Sequence, residues 1–216
     1  MFIISGAFCF LRLTGGSGDD IIKGGSAMKD LGTKTLETPR LLLRPFTAGD
    51  AHAMFTNWAS DPEVTRFLVW PPHGDESVSL AYCRELEAGY GDPTRYDWAI
   101  VLWELGEPIG SMGVVQRGEA AESVHIGYCI GRSWWHRGFT SEALKRVIQY
   151  LFEEVGVNRI DSRHDPRNPH SGQVMAKCGM VYEGTHRQSD RNNQGICDAA
   201  WYAILKEDYE KGRECP

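Results

Sequence analysis

The stretch from Gly127 to Ala143, GYCIGRSWWHRGFTSEA, constrains the fold more than any other part of the chain. Before it, Ser123 to Ile130 is a β-rich run; after it, Ala143, Val147, Ile148, Leu151 and Phe152 recur at helical spacing. A strand that passes into an amphipathic helix through a glycine-bearing loop requires a helix packed on a sheet. The loop also delivers several backbone N–H groups to the positive end of the helix dipole, an arrangement suited to a pyrophosphate. Gly138 lets the backbone approach such a ligand closely. Taken alone the turn says little, because most strand-to-helix turns bind nothing.

The flanking segments extend this reading. A strand is expected at Leu36 and Leu41–Arg44, a helix around Asp50 to Trp58 after the breaker Pro45, a short helix over Pro62 to Leu68, and a further helix from Ser77 to near Gly89. Three β-rich runs, Asp97 to Trp103, Pro108 to Val115 and Ser123 to Ile130, predict an antiparallel meander. After the long helix come a strand at Val157–Ser162, a helix over Asn168 to Cys178 stopped by Gly179, and strands Met180 to Arg187 and Cys197 to Leu205 around a polar hairpin. The fold class expected is α/β (α+β): a central mixed, mainly antiparallel sheet of about six to seven strands with helices on both faces.

With 216 residues, 42% of them hydrophobic, the chain can bury one sizeable core. Residues 28–216 are expected to form one domain. Residues 1–27 are expected to be a non-native or disordered extension: Met1 to Leu13 is apolar but too short to span a membrane and lacks leading basic residues. Lys23–Gly24–Gly25 back-translates to a ribosome-binding AAA-GGA-GG stretch shortly before Met28. A formal charge of −6 argues against a nucleic-acid or anionic membrane partner and suits a cationic acceptor. Six cysteines without a C-x-x-C pair indicate neither a zinc site nor a redox motif, and suit a reducing cytoplasm.

The sequence from Leu36 to Tyr209 resembles the GNAT superfamily of N-acetyltransferases, in the branch of the ribosomal-protein N-terminal (alanine/serine) acetyltransferases. Trp135–His136–Arg137–Gly138–Phe139–Thr140–Ser141–Glu142–Ala143 resembles the family's acetyl-CoA signature. Thr38–Pro39–Arg40–Leu41–Leu42–Leu43–Arg44–Pro45, Trp70–Pro71–Pro72–His73, Asn168–Pro169–His170–Ser171, Lys177–Cys178–Gly179–Met180 and Glu183–Gly184 follow in the family's order. His136 stands where the family usually has glycine and Thr140 where it usually has alanine. Histidine tolerates a positive φ better than most residues, and a threonine hydroxyl can serve a phosphate or cap the helix.

The resemblance implies acetyl-CoA as cosubstrate, no metal, and a V-shaped opening between the strand ending near Ile130 and the one beginning near Arg159. It places Tyr128, Ile130, Trp135, His136, Arg137, Gly138, Phe139, Thr140, Asn168 and Ser171 at the coenzyme, with backbone N–H groups of the Tyr128–Ile130 strand at the thioester carbonyl. Side chains of that strand are expected in the core. Ser171, otherwise an ordinary helix cap, would protonate the leaving thiolate. Asp190 would be the general base, with Glu183, Asp198, His73 or an ordered water as alternates, and a solvated turn aspartate is the plainer reading. The acceptor expected is a primary amine, on a protein N-terminus or a small molecule. The sequence leaves monomer and homodimer open, and also a degenerate acyl-CoA-binding sensor without turnover.

Overall fold

A computed structural model of the chain describes residues 28–214. The expectation for residues 1–27 lies outside the described residues. The described part is built on one eight-stranded sheet in the order β1-β2-β3-β4-β5-β6-β8-β7. Its strands are β1 (Leu36–Glu37), β2 (Leu41–Arg44), β3 (Asp97–Leu102), β4 (Glu107–Gly118), β5 (Ser123–Ile130), β6 (Arg159–His164), β7 (Val181–Asn192) and β8 (Gly195–Leu205). Neighbours are antiparallel except β5 and β6. The count exceeds the expected six to seven because the Thr38–Arg40 turn divides the first apolar run into two strands.

The middle of the sheet is buried on both faces, whereas β7 at its edge is largely exposed, and β3 shows why its sequence reads as a nearly continuous apolar run. Successive side chains of a strand point to opposite sides. Trp98, Ile100 and Leu102 enter one core; Ala99 and Val101 enter the other. The second core is covered by α1 (Ala51–Met54), which continues in wide turns to Ala59, by α2 (Pro62–Thr65) and by α3 (Glu76–Gly89). The first is covered by α4 (Phe139–Tyr150), whose Phe139, Ala143, Leu144, Val147 and Ile148 form the apolar stripe that the spacing predicts. α5 (Pro169–Lys177) packs beside β6, and α6 (Lys206–Glu214), which the sequence pattern did not suggest, closes the described chain.

Two features position the site. The β5–β6 ladder holds only at Ser123–Arg159, Val124–Ile160 and His125–Asp161, after which β6 stays with β8 and β5 with β4. A gap therefore opens between the C-terminal halves of β5 and β6. Gly131 N–H donates to Ile109 O on the β4 side, so the alternation of an antiparallel ladder turns the N–H groups of Ile130 and Tyr128 into the gap.

Candidate active site

The turn after β5 is held in a shape that leaves its amides available. His136 (φ 59°) and Gly138 (φ 82°) both adopt left-handed conformations, and no side chain caps α4. The first amides of α4 thus lack intrahelical acceptors and face outward at the positive end of the helix. Glu142 ties the turn down: its carboxylate accepts from Thr38 Oγ1 (2.7 Å), Arg40 N (3.0 Å) and Arg40 Nε (2.7 Å). Arg40 Nη1 in turn donates to the Arg137 carbonyl oxygen at 3.1 Å.

Beside this turn lies a cavity of about 210 Å³ lined by Tyr128, Ile130, Trp135, His136, Gly138, Thr140, Asn168 and Ser171 among others. Two residues expected there are not on its wall. Phe139 is 4% exposed and belongs to the core, because the first turn of α4 faces the sheet. Arg137 and Arg40 flank its ring, their guanidinium carbons 5.3 and 4.3 Å from the centroid, so the Arg137 side chain is directed at Phe139 and not into the cavity.

A second cavity, of about 430 Å³, lies on the side covered by α1 to α3. The two share Phe67, Leu68, Tyr128, Cys129, Asn168 and Ser171, so they meet where β5 leaves β6. At this junction the Tyr128 hydroxyl lies 3.1 Å from Ser171 Oγ and donates to the Ser171 carbonyl at 3.0 Å. The Tyr128 side chain is thus more than core filling, contrary to the sequence expectation. Burial pushes its phenol well above the ordinary tyrosine range, only partly offset by the bond to Ser171, and keeps it protonated. Neither Ser171 nor Asn168 acts as a cap for α5: the serine is turned to Tyr128, and the asparagine side chain caps nothing.

Asp190 lies on the second cavity, within the β7–β8 ladder opposite Cys197 and not in a solvated turn; the hairpin turn is Asn193–Gln194. Its carboxylate accepts from Arg163 Nε at 2.6 Å. Burial would raise its pKa, but the bonds from Arg163 and the Arg191 amide outweigh it and hold the carboxyl below the usual range. A carboxylate so committed is a weak base. Among the alternates, Glu183 is paired with Arg159, Asp198 accepts from Gln188 N, and His73 is bonded to Ser79 and lowered by burial. None of these three lines either cavity.

Sequence reasoning missed Asp97, His125 and Arg163, which also line the second cavity. His125 Nδ1 lies 2.5 Å from Asp161, and Arg163 spans from His125 Nε2 (3.2 Å) to Asp190. The usable signal was the pair of glycines inside strands, Gly113 and Gly127, since glycine in a strand marks room for a ligand or a close approach.

Strands that part beside an uncapped helix N-terminus, with a second cavity opening onto the same hydroxyls, fit an acyltransferase scaffold. The chain belongs to the GNAT family of acetyltransferases: the model of the Acetyltransferase (GNAT) domain matches residues 40–181. The N-acetyltransferase p20 of Bacillus licheniformis is 30% identical over 82% of this chain and 98% of its own. The [ribosomal protein uS5]-alanine N-acetyltransferase of Escherichia coli is 27% identical over 69% of this chain and 79% of its own. In fold the chain is similar to the microcin C7 self-immunity acetyltransferase MccE, solved with acetyl-CoA and AMP: TM-score 0.70, 16% identity, covering 78% of this chain and 93% of that one. Among the described residues no cluster of His, Cys, Asp or Glu is arranged to hold a metal, and no helix is long and apolar enough to cross a membrane.

Proposed function

We propose that the chain transfers the acetyl group of acetyl-CoA to a primary amine, a protein N-terminus such as that of a ribosomal protein or a small-molecule amine, in the cytoplasm. The observation that carries this reading is the junction of the two cavities at Tyr128 and Ser171, beside the gap between β5 and β6. The left-handed turn at His136–Gly138 and the uncapped start of α4 fit a pyrophosphate, and the inward N–H groups of Tyr128 and Ile130 fit a thioester carbonyl. Acetyl-CoA supplies, when bound, an acyl group already activated as a thioester. Ser171, backed by the Tyr128 hydroxyl, gives its proton to the departing thiolate. Asp190 can take the amine's proton only by giving up part of its bond to Arg163.

The test is thiol release from acetyl-CoA with a panel of amines that includes alanine- and serine-started peptides. Turnover with at least one amine is expected, together with a rise in melting temperature on adding acetyl-CoA. A coenzyme-dependent rise with no turnover on any amine would move the chain to the sensor reading.

A further inference from the structure

The acceptor cavity has a floor without side chains. Asp97 of β3 pairs with Gly113 of β4, and Gly113 pairs with Gly127 of β5. These three positions form one row across the sheet on the side facing α1 to α3, and only the first carries a side chain. Asp97 fills the space this leaves: a Cβ built on Gly113 would stand 2.6 Å from Asp97 Oδ1. The carboxylate therefore leans across β4 towards the strand whose Tyr128 and Cys129 divide the two cavities.

Three aspartates line this cavity, and their surroundings differ. Asp165 is held by Arg167 and Asn192, and Asp190 by Arg163. Asp97 has no donor within hydrogen-bond distance of its carboxylate among the described residues; the nearest cation is Arg95, its Nε 3.9 Å from Oδ2. A carboxylate only about a quarter exposed and left without a donor is costly to hold unless a ligand answers it. The groups that bear on it are Arg95 on its own strand's approach, Glu85 and Tyr82 of α3, and Tyr90 beyond α3. Phe46, Trp70 and Tyr82 supply aromatic walls to the same cavity. An ammonium among aromatic rings and opposite a carboxylate whose only cation is a loosely placed arginine is held by both.

We propose that Asp97 receives the acceptor's ammonium and is the general base of the reaction, and that the acceptor is a primary amine flanked by aromatic walls. This rests on the acetyl-transfer reading above. The ammonium gives one proton to the Asp97 carboxylate, and the freed lone pair forms the N–C bond to the thioester carbon as the C–S bond breaks. The leaving sulfur takes a proton from Ser171, whose oxygen regains one from the acylated nitrogen; the proton on Asp97 passes to solvent. Burial raises the Asp97 carboxyl, with Glu85 adding to it and Arg95 opposing, which makes this carboxylate a stronger base than Asp190.

The experiment compares wild type, Asp97→Asn, Asp97→Glu and Asp190→Asn in acetyl transfer to the best amine of the panel across pH, with the acetyl-CoA-induced rise in melting temperature as the check on fold and coenzyme binding. Asp97→Asn should lose about a hundredfold in kcat/KM and the acidic limb of the pH profile, with the coenzyme response intact. Asp97→Glu should recover part of the rate with a displaced acidic limb, and gives the same readout if the asparagine variant fails to fold. Asp190→Asn should keep the acidic limb. Wild-type kcat/KM and pH profile in Asp97→Asn would overturn the Asp97 assignment and leave acetyl transfer standing. Absence of transfer by the wild type to any amine would overturn acetyl transfer and this assignment together.

Discussion

The Tyr128 hydroxyl and Ser171 Oγ stand 3.1 Å apart, one on β5 and the other on α5, at the point where the two cavities meet. Because the phenol also donates to the Ser171 carbonyl, it fixes the serine's backbone as well as its hydroxyl. The two hydroxyls then work as a unit. Ser171→Ala should lower kcat by about a hundredfold and Tyr128→Phe by about tenfold, both without pH rescue. The double variant should lose less than the product of the single losses, as coupled residues do. Full additivity in a kcat double-mutant cycle would separate them.

Gly138 and Arg137 are neighbours with opposite expectations. Gly138 has φ 82°, and an added Cβ would meet nothing closer than Arg40 Nη2 at 3.5 Å, so Gly138→Ala tests backbone strain alone. It should cost roughly 1–2 kcal/mol and weaken acetyl-CoA binding by distorting the phosphate turn. Arg137→Ala should leave the coenzyme Kd nearly unchanged, since the guanidinium lies over Phe139 and off the cavity wall. Calorimetric titration of both variants with acetyl-CoA checks the contrast.

Glu142 joins the turn before β2 to the start of α4 through three hydrogen bonds, and Arg40 relays the hold to the Arg137 carbonyl. Glu142→Ala should therefore lower both the melting temperature and the coenzyme affinity. Hydrogen bonds to a charged group contribute about 1.5–3 kcal/mol, and each kcal/mol shifts the melting temperature by roughly 2–4 °C in a chain of this size. Loss of stability with an unchanged Kd for acetyl-CoA would confine Glu142 to a scaffold role.

Much of this architecture was legible because it rests on local patterns. The period of α4, the β3–β5 meander and the glycine turn at Gly138 each follow from residues close in sequence, and Ser123–Ile130 forms the strand its composition predicts. The chemistry of single carboxylates was not legible. Asp190 and Asp97 look alike in sequence, and only tertiary pairing separates them: Arg163 comes from β6, and the floor beneath Asp97 is made by Gly113 of β4 and Gly127 of β5. The side chains of Arg137 and Phe139 lie off the cavity wall for a related reason, since a motif position says nothing about which way a helix's first turn faces.

The same pairings give opposite pH signs. Asp50, bound twice by Arg44 at 2.7 Å, and Asp190 both fold with carboxyls below their ordinary 3.8, despite burial acting the other way. Their stabilisation is present above that value and is lost as the pH falls through the lower folded value. Asp97 folds with a raised carboxyl, so its penalty is absent at low pH and grows as the pH rises above 3.8. Asp190→Asn should accordingly melt below wild type at neutral pH and Asp97→Asn above it, with both differences shrinking in acid. Melting curves across that range decide it; an Asp97→Asn variant less stable at neutral pH would mean that the carboxylate has a partner in the fold.

Asn193, at the tip of the β7–β8 hairpin, braces the wall of the second cavity, the proposed acceptor site. Its side-chain amide donates to Thr65 O at 2.8 Å and Trp70 O at 2.7 Å, and its backbone N–H donates to Leu68 O at 3.1 Å. These bonds tie the hairpin that carries Asp190 to the α2–Trp70 segment, whose Phe67, Leu68 and Trp70 line the cavity. The coenzyme turn lies elsewhere and makes none of these contacts. Asn193→Ala removes the two side-chain bonds and leaves the backbone bond, at a cost near 1 kcal/mol for each ordinary hydrogen bond. The expected result is an acceptor KM raised by about tenfold, with smaller changes in kcat and in the Kd for acetyl-CoA, whose cavity also reaches Phe67 and Leu68. Steady-state kinetics varied in both substrates makes the distinction: an equal loss for amine and coenzyme would mean that Asn193 supports the fold as a whole, whereas a loss that falls mainly on the amine identifies the hairpin–loop tie as the device that shapes the acceptor site.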